Sequence, residues 1–184
     1  MESLEILAKT LLVLGGARSG KSSYAQRLAE ASGRHPVLLA TAEATDSEMA
    51  GRIARHASAR DARWALVEES VALTETLLRE ARKDRIIVVD CLTLWLGKLL
   101  LHDADLAAAA RDLAQSVPGL EGPVIFVSNE VGGGIVPENP LARTFRDAQG
   151  LLNQALAESC DAVVLIAAGL PLCLKPAPEP RLSF

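Results

Sequence analysis

Leu11-Leu12-Val13-Leu14 runs directly into Gly15-Gly16-Ala17-Arg18-Ser19-Gly20-Lys21-Ser22, and that into Ser23-Tyr24-Ala25-Gln26-Arg27-Leu28-Ala29-Glu30. An apolar run of strand length passes into a glycine-rich turn, and the turn passes into a helical pattern. The turn meets every fixed position of G-x-x-x-x-G-K-[ST], the phosphate-binding loop (P-loop) of nucleotide-using proteins. Gly15 and Gly20 let the backbone curl so that the N–H groups of the loop, from Gly16 through Ala17, Arg18 and Ser19, face one anion. Lys21 has the length to reach β- and γ-phosphates, and the Ser22 hydroxyl suits Mg²⁺. The helix that follows adds the positive end of its dipole. An ordinary glycine-rich strand-to-helix turn is the plain alternative. The strand before and the helix behind favour a nucleoside triphosphate site.

Outward from this stretch, apolar strands alternate with helical patterns. Pro36–Thr41, Trp64–Val67, Arg85–Asp90, Val124–Ser128 and Ala162–Ala167 read as strands, the last as the final buried one. Thr45-Asp46-Ser47-Glu48 has the form of a capping box and opens a helix to about His56 or Ala57. Further helices are expected over Val71–Lys83, Thr93–Leu101, Leu106–Gln115 and Leu141–Ser159, with a Gly/Pro-rich loop over Val131–Pro140. Continuous apolar strands between helices imply an α/β protein: a P-loop NTPase-like, mostly parallel β-sheet with helices on both faces. The chain reads as a single nucleotide-binding domain over residues 1–184. Its core runs from about 11 to 175, and a flexible proline-rich tail follows over 176–184.

Composition narrows the function classes. With 49% hydrophobic and 23% charged residues the 184-residue chain is globular, and 3% aromatics make its core aliphatic. A net charge of −4 gives no general attraction for nucleic acid or an anionic membrane. No apolar run approaches the roughly 20 residues of a membrane span, and the first ten residues lack a signal-peptide pattern. Cys91, Cys160 and Cys173 show no metal spacing and read as reduced, buried thiols of a cytoplasmic protein.

In parallel sheets ligands sit beyond the carboxyl ends of the strands, so chemistry is sought there. Asp90 closes an apolar strand and suits Mg²⁺ beside the phosphate loop; as an alternative it caps the helix at Thr93. Asn129-Glu130 ends another strand. Its carboxylate either orients a substrate hydroxyl or stabilises a turn. His56 lies among Arg52, Arg55, Arg60 and Arg63, an arrangement that fits a nucleophile in an anion clamp, although on composition alone a solvated basic helix end is the more frequent explanation.

These residues together resemble the bifunctional adenosylcobinamide kinase / adenosylcobinamide-phosphate guanylyltransferase family. The matching pieces are the loop Gly15–Ser22, Glu48-Met49-Ala50 with Arg52-Ile53 and His56, Trp64 with Glu68, and Asp90-Cys91-Leu92-Thr93-Leu94-Trp95. Ser128-Asn129-Glu130-Val131-Gly132, Gly134-Ile135-Val136-Pro137-Glu138, and Arg143 with Phe145-Arg146-Asp147 and Gly150 follow in order. The resemblance implies two reactions. Adenosylcobinamide is phosphorylated from ATP or GTP, and GMP then passes from GTP to that phosphate, giving adenosyl-GDP-cobinamide. It places the family's guanylylated histidine on His56 and nucleotide-binding residues on Glu68 and, less securely matched, Arg60. Lys21, Mg²⁺ and nearby arginines would offset developing charge. A trimer is the assembly it suggests, with a corrinoid and nucleotides as partners. Gly97-Lys98 stands where the family commonly has Asn, and the tail after Lys175 lies outside the pattern.

Two other readings compete. A simple P-loop small-molecule kinase would have no need of His56. A GTP-dependent switch would want Asp-x-x-Gly and Asn-Lys-x-Asp, where the chain has Asp90-Cys91-Leu92-Thr93 and Asn129-Glu130-Val131-Gly132.

Overall fold

A computed structural model describes residues 8–42 and 62–176. The helix expected from Thr45 to about Ala57 and the tail beyond Pro176 lie outside them. The described elements are β1 (Thr10–Gly15), α1 (Lys21–Ala31), β2 (His35–Ala40), β3 (Ala65–Glu68), α2 (Leu73–Glu80), β4 (Arg85–Asp90) and α3 (Leu92–Leu101). They continue with α4 (Leu106–Ser116), a 3-10 turn (Val117–Gly119), β5 (Val124–Asn129), α5 (Pro140–Ser159), β6 (Ala162–Ala167) and β7 (Leu170–Lys175).

The strands form one sheet in the order β3-β2-β4-β5-β1-β6-β7. Every pair is parallel except the antiparallel β6–β7. Ile86 to Val89 of β4 and Val124 to Ser128 of β5 are buried on both faces, which is why these strands lack the alternation of a half-exposed sheet. On one face Leu12, Leu39, Ile87 and Phe126 pack with Leu73, Trp95, Leu113 and Leu152 from the four later helices. On the other, Val13, Val88, Ile125 and Ile166 pack with Ala25 and Ala29 of α1. Helices therefore cover both faces, as the apolar strands imply. Trp95, the largest fully buried side chain, satisfies its indole N–H on the Val71 carbonyl at 2.9 Å.

The boundaries of one helix need correction. The helix of the Val71 region begins only at Leu73, because Glu69 Oε1 accepts from the N–H groups of Val71 (2.9 Å) and Ala72 (2.8 Å) and fixes them outside it. It ends at Glu80, and the Ala81 carbonyl turns to accept from Gly122 N–H at 3.0 Å. β6 is the final buried strand, as expected, but a further, exposed strand that the sequence reading did not include follows it. β7 adds an outer edge, where Pro171 costs no interior ladder bond and Leu170, Leu172 and Leu174 stay exposed. Lys175 anchors that edge by donating to the carbonyls of Ala157 (2.9 Å), Glu158 (2.9 Å) and Cys160 (2.6 Å) at the end of α5.

The cysteines are free thiols, but they are not all buried. Cys160 is enclosed and Cys91 partly so, whereas Cys173 rides exposed on β7. Among the described residues no helix is long and apolar enough to cross a membrane.

Candidate nucleotide site

β1, β5 and β4 lie side by side, and their carboxyl ends build the site. Gly15 of β1 is the register partner of Asn129 on β5, and Val127 of β5 that of Asp90 on β4. Gly15 has φ 153°, and a Cβ there would come within 2.5 Å of the Ile166 carbonyl and 2.6 Å of Ser19 Oγ. No side chain fits, so the loop can enter its turn only with glycine. Gly20 has φ 101° and is the residue before α1. Arg18 between them is left-handed at φ 56°. Such alternation of handedness gathers successive N–H groups into an anion-binding concavity. The loop is braced from outside by Gly169 N–H, which donates to the Ser19 carbonyl at 2.9 Å. Ser19 Oγ is buried with no hydrogen-bond partner, an unmet polar atom of the kind a ligand in the loop satisfies.

Lys21 opens α1 and is only 7% exposed. Its Nζ donates to the Gly16 carbonyl at 2.6 Å, so the side chain folds back along the loop. Burial lowers its pKa from the ordinary lysine value, and the neighbouring Cys91 and Asp90 work in the opposite direction. Asp90 does not cap α3: the residue at that position is Cys91, and no side-chain cap bond forms. Instead Asp90 faces a cavity of about 750 Å³ shared with Ala17 to Ser23, Cys91, Val127 and Asn129. Thr41 at the end of β2 steadies this corner. Its Oγ1 donates to the Cys91 carbonyl at 2.7 Å and accepts from Cys91 N–H at 2.9 Å. The Cys91 thiol is pushed up to about 11 by burial first and by the charge of Asp90 second, so it stays protonated and is no nucleophile at neutral pH.

Ser22 and Asp90 thus line one cavity with a hydroxyl and a carboxylate, hard oxygen donors that suit Mg²⁺. Among the described residues no three His, Cys, Asp or Glu side chains gather into a metal site of their own. A Mg²⁺ would be shared with phosphate oxygens and water, the usual habit of that ion.

The structure therefore brings together Gly15 to Ser22 and Asp90. Glu68 ends β3, exposed at the outer edge of the sheet and paired in register with Ala40 of β2; it does not line the cavity. His56 and Arg60 lie outside the described residues. Glu130 also stays out of the cavity. Its Oε1 accepts from Gly132 N–H at 2.6 Å, the turn-stabilising arrangement, while its own N–H donates to the Gly15 carbonyl at 3.0 Å. Sequence reasoning did not single out Asn129 for a role of its own, yet it is the residue of that pair in the cavity. The signal was its place as the last residue of an apolar strand.

A mostly parallel sheet with a phosphate loop between its first strand and first helix, faced by a strand-end carboxylate, defines a P-loop nucleotide-binding protein. Within that class the chain belongs to the cobinamide kinase / cobinamide phosphate guanyltransferase family, whose sequence model matches residues 11–174. It is 48% identical to a bifunctional adenosylcobalamin biosynthesis protein CobP of Pseudomonas aeruginosa, over 91% of this chain and 98% of that one. It is 37% identical to the bifunctional adenosylcobalamin biosynthesis protein CobU of Salmonella typhimurium, over 90% and 99%. A solved Pyrococcus horikoshii OT3 structure shares the fold with a TM-score of 0.54 at 12% identity, covering 92% of this chain and 87% of that one.

Proposed function

We propose that this chain phosphorylates adenosylcobinamide with ATP or GTP and transfers GMP from GTP to adenosylcobinamide phosphate, giving adenosyl-GDP-cobinamide and pyrophosphate. The observation that carries this reading is the family match over residues 11–174, which spans the phosphate loop and the cavity it forms with Asp90. In the first reaction the substrate hydroxyl oxygen bonds to the γ-phosphorus as the bond to the β–γ bridging oxygen breaks. Such transfers are accelerated mainly by positioning and charge stabilisation. The loop N–H groups and the Lys21 ammonium supply both.

In the second reaction a His56 ring nitrogen bonds to the α-phosphorus and pyrophosphate leaves. A phosphate oxygen of cobinamide phosphate then bonds to the same phosphorus, and the nitrogen–phosphorus bond breaks. Lys21 favours the charge that accumulates on the phosphate oxygens. Ser22 and Asp90 are the residues that would hold Mg²⁺, which supplies charge neutralisation at those oxygens when bound. Arg60 and Glu68 are assigned to nucleotide binding by the same resemblance. The resemblance also supports a homo-oligomer, a trimer, with a corrinoid and nucleotides as partners, while the spacing of the cysteines supports a cytoplasmic location and the net charge of −4 argues against nucleic acid as a partner.

The test is incubation with Mg²⁺ and GTP labelled on its α-phosphorus, followed by denaturation. Acid-labile, alkali-stable label that His56→Ala abolishes is the expected result. A chain that binds GTP and phosphorylates the substrate but never takes up label would be a simple kinase.

A further inference from the structure

Three polar side chains are buried beside the cavity. Ser128 Oγ donates to Asn153 Oδ1 at 2.7 Å, and Gln149 Nε2 donates to Ser128 Oγ at 3.0 Å and to Asn153 Oδ1 at 3.1 Å. All three residues are less than a tenth exposed. Apolar side chains would fill this space without the desolvation such groups incur, so the cluster calls for a reason. Its outlet is Asn129: Asn153 Nδ2 donates to the Asn129 carbonyl at 3.1 Å. From α3, Thr93 Oγ1 accepts from Asn129 N–H at 2.9 Å. The backbone of Asn129 is thus held at both ends by side chains of two different helices. Its own side-chain amide has no hydrogen-bond partner among the described residues, and it lines the nucleotide cavity.

Sheet order places Asn129 between the two halves of the site. β5 runs between β1, which feeds the phosphate loop, and β4, which ends in Asp90. Asn129 is level with Gly15, and Asp90 is level with Val127, two residues earlier on the same strand. Lys21, Asp90 and Asn129 line the same cavity, so a terminal phosphate that reached Lys21 and Asp90 there would come to the end of β5 and to Asn129.

We propose that Asn129 is a specificity-determining residue that reads the terminal phosphate, its Nδ2–H donating to a γ-phosphate oxygen so that a nucleoside triphosphate is preferred over a diphosphate. This rests on the nucleotide reading of the loop. An amide suits the task because it donates without adding a second buried cation beside Lys21. It cannot take a proton, so Asn129 is no general base. The clamps from Thr93 and Asn153 fix the backbone that carries the donor before the ligand arrives, which spares part of the ordering entropy on binding.

Equilibrium binding of a non-hydrolysable GTP analogue and of GDP, both with Mg²⁺, tests this. Asn129→Ala should weaken the analogue about tenfold, as expected for a lost hydrogen bond to a charged group, with GDP unchanged. Asn129→Asp, nearly isosteric, should weaken it further by placing a carboxylate against the phosphate, again with GDP unchanged. Thr93→Val should shift the ratio in the same direction by less, and Thr93→Ser should restore it. Equal losses for both nucleotides, or an unchanged ratio in Asn129→Asp, would overturn the proposal. A wild-type protein that binds neither nucleotide would overturn the nucleotide reading itself and this inference with it.

Discussion

Lys21 Nζ donates to the Gly16 carbonyl at 2.6 Å, so the loop supplies its own lysine with a partner. Phosphate oxygens entering the loop replace a neutral acceptor with charged ones, which favour the ammonium. Because burial holds the pKa of Lys21 below the ordinary lysine value, the charge is lost sooner as pH rises. Affinity for nucleotide is therefore full below that lowered pKa and falls as pH climbs through it, and a proton is taken up on binding only where pH has climbed into that range. Calorimetry in buffers of different ionisation enthalpy should show that uptake, and Lys21→Ala should abolish it. The same variant should lose on the order of a hundredfold or more in both reactions. Intact turnover would remove the loop from the mechanism.

Asp90→Asn separates metal binding from nucleotide binding. Asp90 caps nothing on α3, so the substitution should leave the thermal unfolding midpoint in place. The Mg²⁺ concentration for half-maximal activity should rise about tenfold or more, since an amide oxygen is a poorer partner for a hard cation than a carboxylate. A Mg²⁺ titration that matches wild type would take Asp90 out of the metal's surroundings.

The phosphate loop was legible because its chemistry demands fixed residues at fixed spacing, and Gly15 shows why: no Cβ fits there. The strand Arg85–Asp90 was legible to the residue, because a buried parallel strand is an unbroken apolar run. β7 was not. Its exposed leucines and Pro171 carry no buried-strand signal, and Lys175 pins it to α5 from a distance along the chain no local pattern records. Sheet order was equally silent. Glu68 and Asp90 both end strands, yet β2 separates β3 from β4, and only Asp90 faces the cavity. Asn129 gained its place by the same route, from having β1 and β4 as neighbours.

The thiols should react in an order set by exposure and charge. Burial pushes Cys160 up to about 12, and burial with the nearby Asp90 pushes Cys91 up to about 11. Since the thiolate is the reactive form, Cys160 is protected by both its enclosure and its raised pKa, and the half-buried Cys91 chiefly by its raised pKa. Cys173, exposed on β7, should be modified first by an aromatic disulfide reagent, one thiol per chain in the fast phase. Cys91 should follow slowly, and Cys160 only with denaturant. Peptide mapping after brief labelling reads the order, and labelling of Cys91 as fast as Cys173 would mean that its thiol is not held protonated as its surroundings imply.

Asp161 gives the fold a dependence on acid. Its Oδ2 accepts from Lys9 N–H (3.0 Å), Thr10 N–H (2.8 Å) and Thr10 Oγ1 (2.8 Å), and its N–H donates to Thr10 Oγ1 at 2.9 Å. This fastens the start of β1 to the residue before β6, across nearly the whole chain. Desolvation acts to raise the pKa, but the hydrogen bonds from the Thr10 side chain, Thr10 N–H and Lys9 N–H outweigh it, and the pKa is lowered. A lowered carboxylate stabilises the fold above its unfolded-state pKa, near 3.9 for aspartate in general, and the contribution is lost as pH falls through the folded-state value. Asp161→Asn should therefore be less stable than wild type at neutral pH, by about 1 kcal/mol once solvent around an exposed carboxylate is allowed for. The difference should shrink as pH drops below the ordinary aspartate range. Urea unfolding at neutral and at acid pH reads both numbers; a gap that stays constant with pH would mean that the clamp works through shape and not through charge.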